Sequence, residues 1–226
     1  MELLFVRHGQ PAWTEGGAAI VDPVLTPLGR DQAAAAADRL AAGPPVAEVL
    51  VSPATRARQT AEPILATLGI EPTIVPDLTE MRMPSEWADT PGEVVERIFR
   101  ESRERPPEQW WDGMPGGESF REFHARITGA MDTILQDRSV VPATEPHLWD
   151  VGGDPGRVVL VAHAGTNAVA LGHLLGLEPT PWEWERFNSP HASFALVKSA
   201  PLAGRHVFGL HAFGDTGHIP GDRVTY

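Results

Sequence analysis

Three times along this chain a short, mostly apolar run breaks off at a polar side chain and gives way to a helix signal. Leu3 to Val6 ends at Arg7-His8, Val46 to Val51 ends at Ser52, and Val158 to Ala162 ends at His163. Runs of this kind suit strands buried on both faces, as in a parallel sheet covered by helices on either side. In such sheets ligands bind outside the carboxyl ends of the strands. The polar residues at these three ends are therefore the first candidates for a site.

The helix signals between the strands fit the same architecture. Thr26-Pro27 offers a capping hydroxyl followed by proline, the Ala-rich stretch from Gln32 to Ala42 continues as helix, and Gly43-Pro44-Pro45 stops it. Ser52-Pro53 repeats the device and predicts a helix to about Leu68. Thr73 to Val75 reads as a short third strand leading to Leu78-Thr79-Glu80.

Residues 81 to 115 combine charges and prolines with Trp87, Trp110 and Trp111, and carry a predicted capping box from Thr90 to Glu93. They read as a cap over the site, its tryptophans packing the insertion rather than lining a pocket. Gly116-Gly117-Glu118-Ser119 opens a long helix to about Asp137, with Phe120, Phe123, Ile127, Ala130 and Ile134 on one face. Residues 138 to 156, with three glycines and three prolines, read as a surface loop. After His163-Ala164-Gly165-Thr166 a helix runs to near Gly176, and Ser193 to Phe213 forms two strands around Ala203-Gly204. The expected fold is α/β, a three-layer α/β/α sandwich with a mostly parallel central sheet, in one domain over residues 1 to 226.

Composition removes several kinds of chemistry. Cysteine is absent, so disulfides, Cys-ligated zinc and thiol nucleophiles are excluded. A net charge of -12 argues against a nucleic-acid or anionic-membrane surface, and any anionic substrate must meet a local cluster of positive charge. Among 18 Lys and Arg residues Lys198 is the sole lysine, and it does not sit in a Walker-type phosphate loop. The opening Met1-Glu2-Leu3-Leu4 carries no signal-peptide pattern, and no stretch is apolar enough to span a membrane, so a cytoplasmic enzyme is expected. Oligomeric state is open, a homodimer included.

The strand ends supply a kit for phosphoryl transfer. A transferring phosphoryl group needs positive donors for its equatorial oxygens, an in-line nucleophile and an acid at the leaving oxygen. Arg7, Arg56 and one histidine can serve as donors, the other histidine as nucleophile, and Glu80 as acid. Gly9 would let the backbone come close to the phosphate, and the helix after Ser52 would point its free amides at an anion.

These residues resemble the histidine phosphatase superfamily, the phosphoglycerate mutase-like family. Arg7-His8-Gly9-Gln10 looks like its signature, and Leu25-Thr26-Pro27-Leu28-Gly29 like its next helix start. Ser52-Pro53-Ala54-Thr55-Arg56-Ala57-Arg58-Gln59-Thr60-Ala61 is similar to its second motif. Leu78 and Glu80, Gly116-Gly117-Glu118-Ser119, and Val161-Ala162-His163-Ala164-Gly165 follow in family order. The resemblance implies that His8 becomes a phosphohistidine, that Arg7, Arg56 and His163 bind the phosphoryl group, and that Glu80 protonates the leaving oxygen. Gly9, Thr14 and Ala164 complete the expected substrate contacts, Thr14 standing where mutase members carry Asn. Neither metal nor cofactor is implied, and the expected partner is a small phosphorylated metabolite.

Other readings compete at particular residues. Arg58 reads as a surface or salt-bridge position, His191 could approach the site from the loop Asn188-Ser189-Pro190-His191 but reads better as structural, and Gly214-Asp215-Thr216-Gly217-His218 superficially resembles one box of binuclear metallophosphatases. Against a mutase stands the segment from 81 to 112, whose five arginines face eight acidic residues. Hydrolysis of a phosphomonoester is the expected activity. Mutase-type transfer and a phospho-ligand binding module without turnover are the alternatives.

Overall fold

A computed structural model describes residues 1–88 and 90–226. In chain order the elements are β1 (Glu2–Arg7), the two-residue strands β2 (Thr14–Glu15) and β3 (Ala18–Ala19), α1 (Pro27–Ala41), β4 (Glu48–Val51), α2 (Thr55–Leu68) and β5 (Thr73–Ile74). There follow α3 (Gly92–Arg103), α4 (Phe120–Gln136), β6 (Val140–Pro142), β7 (Trp149–Val151), β8 (Arg157–Ala162), α5 (Ala164–Leu174), α6 (Glu183–Arg186), β9 (Phe194–Leu202) and β10 (Arg205–Asp215).

Eight strands form one sheet in the order β5-β4-β8-β1-β9-β10-β7-β6. The half from β5 to β1 is parallel, and from β9 onward the pairing is antiparallel. Both faces of the parallel half are covered. Leu3, Phe5, Leu50, Val158 and Leu160 face a core shared with α4 and α5, while Leu4, Val6, Val49, Val51, Val159 and Val161 face the side of α1 and α2. Alternate residues thus enter opposite cores, which is why these strands read as continuous apolar runs. Each large side chain buried in this way contributes about 1.5–3 kcal/mol.

Helix ends follow the predicted chemistry in part. Thr26 caps α1 by accepting from the Gly29 amide, and Ser119 and Glu122 close a reciprocal capping box on α4, whose Phe120, Phe123 and Ile127 are wholly buried. The box predicted at Thr90 does not form. The Thr90 hydroxyl donates to the Glu86 carbonyl instead, and α3 begins at Gly92 after Pro91. Ser52 likewise does not cap α2, which begins at Thr55. Asp22 takes that role from a distant loop, accepting from the Thr55 amide at 2.9 Å and its hydroxyl at 2.7 Å.

Residues 138 to 156, expected as a surface loop, contain β6 and β7, which extend the sheet as a hairpin at its far edge. The strands are three residues each, and one side chain apiece, Val140 and Trp149, is buried, so they carry no periodic signal. The cap segment holds α3 between 3₁₀ turns at Ser85–Trp87 and Pro107–Asp112. Its tryptophans pack edge-on against aromatic neighbours, Trp87 on Phe99, Trp110 on Trp182 and Trp111 on Phe120. Among the described residues no helix is long and apolar enough to cross a membrane.

Candidate active site

The parallel register brings the strand ends together. β1 pairs with β8 so that Arg7 lies opposite Ala162, and the ladder continues one residue further through His8 N donating to Ala162 O at 2.9 Å. On the other side of β8, Ser52 N donates to Val161 O at 3.0 Å. Arg7, His8, Ser52 and His163 therefore emerge at one edge, and Arg56 reaches the same point from the first turn of α2.

His8 and His163 are buried and their rings lie 5.2 Å apart, edge to face. His8 Nδ1 sits 2.8 Å from the Gly9 carbonyl, which can only accept, so the ring proton resides on Nδ1 and Nε2 keeps its lone pair. Arg56 Nε approaches that Nε2 at 3.3 Å. Burial first, then His163, Arg56 and Arg7, hold the His8 pKa well below 6.5. His163 is pushed well down by burial and by Arg56 and Arg7. Both rings are thus neutral beside two guanidinium groups. His163 Nε2 hydrogen-bonds Ser52 Oγ at 2.8 Å, and its buried Nδ1 has no partner among the described residues.

Arg7 and Arg56 supply the positive charge. Burial lowers Arg7 to about 10, opposed by the charge of Glu80, so it stays protonated at neutral pH. Arg56 is lowered by burial and held up by Glu80 and Asp22, whose carboxylate lies 3.6 Å away. Trp13 covers the Arg56 guanidinium at 5.0 Å.

Glu80 follows the 3₁₀ turn Pro76–Leu78 and is oriented from both sides. Its Oε2 accepts from the Gly165 amide at 2.9 Å, in the first turn of α5, and its Oε1 from the Met81 amide at 3.0 Å. The backbone before it is held by Arg126, which donates to the carbonyls of Asp77 and Thr79 and forks onto Glu118 at 2.8 and 2.6 Å.

Five residues expected at the site, Arg7, His8, Arg56, Glu80 and His163, thus come together in hydrogen-bonded or electrostatic contact. Ala164 opens α5 beside them, and Arg58 is exposed on α2, as expected. Thr14 stands apart: it pairs with Ala19 across the small β2–β3 ribbon and packs on Gly92, so its neighbour Trp13 reaches the site in its place. Gly9 has a different reason from the one expected. A Cβ there would lie 2.4 Å from the Gly29 carbonyl, so glycine is required by the close passage of the α1 start, and its amide donates to Thr60 Oγ1.

His191 corrects the sequence reading most. Expected to be structural, it is buried with its ring 5.6 Å from His8 and its Nε2 3.0 Å from Arg7 Nη2. A lone histidine after proline gives no spacing signal, and only the return of the chain beside β1 places it. The residues of the metallophosphatase-like box are otherwise engaged, Asp215 with Arg39 and His218 stacked on Phe194. No three His, Asp or Glu among the described residues group as metal ligands.

The chain is similar to several known proteins. Residues 3–202 match the model of the histidine phosphatase superfamily, branch 1. A PE-PGRS family protein of Mycobacterium tuberculosis is 43% identical over 216 residues, covering 88% of this chain, and the chain spans only 34% of that relative's length. A glucosyl-3-phosphoglycerate phosphatase of the same species is 30% identical over 192 residues, covering 80% of this chain and 78% of its own. Among solved structures, an alpha-ribazole phosphatase from Shigella flexneri superposes with a TM-score of 0.72 over 95% of this chain and 96% of its own, at 18% identity, which speaks to the fold.

Proposed function

This chain belongs to the histidine phosphatase superfamily, and on that premise we propose that it hydrolyses a small phosphomonoester through a phosphohistidine on His8. The observation that carries the reading is the fixed tautomer of His8, whose Nδ1–H is engaged by Gly9 O and whose Nε2 lone pair faces Arg56. A neutral imidazole oriented in this way is a nucleophile at neutral pH without prior loss of a proton.

In the proposed reaction the phosphoryl group enters among Arg7, Arg56 and His163, and Arg56 turns from His8 Nε2 to a phosphate oxygen. Nε2 attacks phosphorus while the bond to the leaving oxygen breaks, and Glu80 relays to that oxygen the proton carried in by the substrate monoanion. Water then attacks the phosphohistidine, Glu80 takes the water proton, and inorganic phosphate leaves with His8 restored. The Ala164 amide at the start of α5 offers a further donor to the phosphate, and no metal takes part in any step.

The cations of the cap favour hydrolysis over transfer between two positions of a phosphoglycerate. Arg82 pairs with Glu118 and Arg97 with Glu101, Arg103 pairs with Glu185, and Arg105 bonds the Gly113 and Ser102 carbonyls. Four of the five cap arginines are thus engaged within the protein rather than reserved for a substrate carboxylate. The glucosyl-3-phosphoglycerate phosphatase relative supports a small phosphorylated metabolite as the substrate class.

The test is phosphate release from para-nitrophenyl phosphate and a panel of phosphorylated metabolites, with His8→Ala as control and EDTA present. Turnover that His8→Ala abolishes and EDTA spares is expected. Equal rates for the two proteins would support a binding module. Conversion of 3-phosphoglycerate to 2-phosphoglycerate without free phosphate would establish the mutase.

A further inference from the structure

We infer that His191 is a positioning residue for Arg7 and that Thr225 sets its orientation, so that residues at the far end of the sequence hold a phosphate ligand carried by the first strand. The inference rests on the reading of Arg7 as a phosphate ligand.

Arginine can only donate, so the 3.0 Å contact from Arg7 Nη2 requires His191 Nε2 to be the acceptor. The ring proton must then sit on Nδ1, which meets Thr225 Oγ1 at 3.0 Å. The backbone completes the arrangement, His191 N donating to Thr225 O at 2.8 Å. Burial and the Arg7 charge push the His191 imidazolium down to about 3, which keeps Nε2 an acceptor throughout the neutral range.

Thr225 is held in turn. Gln32 Nε2 donates to Thr225 Oγ1 at 3.0 Å and to the Arg223 carbonyl at 2.9 Å, while Gln32 Oε1 accepts from the Gln10 amide at 2.8 Å. Backbone groups at both ends thus determine which way that amide faces. The chain of contacts runs from Arg7 through His191, Thr225 and Gln32 back to Gln10, three residues after Arg7.

The loop that carries His191 is fastened to the same strand. Arg7 Nη1 donates to Ser189 O at 2.5 Å, Arg7 N to Ser193 O, and Ala192 N to His8 O. Ala192 has φ +54°, a left-handed conformation that alanine holds only where its surroundings over-determine it. Thr225 and Arg223 lie beyond residue 202, where the family match ends.

Inorganic phosphate binding by calorimetry, together with kcat and KM on para-nitrophenyl phosphate, tests the inference in wild type, His191→Phe, Thr225→Val and Thr225→Ser. Loss of the His191 acceptor should weaken phosphate binding and raise KM about tenfold, the size expected for one hydrogen bond to a charged group, with a smaller change in kcat. Thr225→Val should lose about threefold, and Thr225→Ser should restore binding, since only the hydroxyl is at issue. Nitrogen NMR of His191 should show the Nδ1–H tautomer in wild type and a shifted Nδ1 resonance in Thr225→Val, while Arg7 keeps Nε2 the acceptor. Should His191→Phe fail to fold, the two Thr225 variants decide the matter. Wild-type phosphate affinity in folded His191→Phe, or in Thr225→Val, overturns the inference while leaving the phosphatase reading intact. A wild-type protein that neither binds phosphate nor turns over removes both.

Discussion

Gly165 leaves room for Glu80. A Cβ at position 165 would lie 2.5 Å from Glu80 Oε1, while the Gly165 amide donates to Glu80 Oε2 at 2.9 Å. One residue thus supplies both the hydrogen bond and the space that aim the carboxyl group. Gly165→Ala should displace Glu80 and reproduce the signature of Glu80→Gln. Turnover of alkyl phosphates, which need a proton at the leaving oxygen, should fall by about 10²-fold, while activated aryl phosphates lose only a fewfold. Measuring kcat/KM across a series of leaving groups checks this. Equal losses on all of them would take Glu80 out of the acid role.

Arg126 and Glu118 form an ion pair whose side chains are only 10% and 7% exposed. Removing one partner leaves the other charge buried, so Arg126→Met should destabilise the fold by about 3–5 kcal/mol in urea titration. The double variant with Glu118→Met should regain most of that loss, because no charge remains to be desolvated. Its activity on alkyl phosphates should stay low, since the carbonyls of Asp77 and Thr79 no longer hold the approach to Glu80. Full activity in the double variant would show that the pair serves stability alone.

His8, His163 and His191 all have folded-state pKa values below their ordinary 6.5, with burial the largest cause in each. Below about pH 6.5 the unfolded chain takes up protons that the folded one refuses, so stability is complete above that pH and declines as pH falls. Each such histidine contributes at most about 1.4 kcal/mol per pH unit. The urea midpoint should therefore drop steadily from about pH 6.5 to about pH 5, and less steeply in His191→Phe. A flat profile over that range would mean that the rings are protonated in the fold.

Much of the fold was legible because both faces of the parallel half are covered by helices. Leu3 to Val6 and Val158 to Ala162 are apolar at every position for that reason, and their ends announce themselves by the abrupt change to Arg7-His8 and His163. The β6–β7 hairpin was illegible for the opposite reason. Three-residue strands at a sheet edge bury one side chain each, and Pro142 in β6 with Pro146 in the turn read as loop. At the helix starts the sequence shows which residues can cap, and not which are already engaged. Ser52 is taken by His163, so Asp22 caps α2 from outside.

The sequence by itself determined which groups gather at the candidate site: a histidine and an arginine at the end of the first strand, a second histidine at the end of another, an arginine on a following helix and one carboxylate. Those assignments depend on local order, strand end followed by helix start, which survives in one dimension. Only the tertiary structure decided how each group is aimed. The room for Glu80 beside Gly165, the brace of Arg126 and the contact of His191 with Arg7 join residues up to 184 positions apart. Hydrogen bonds act over about 3 Å whatever the separation along the chain, so such orientation leaves no periodic trace in the sequence.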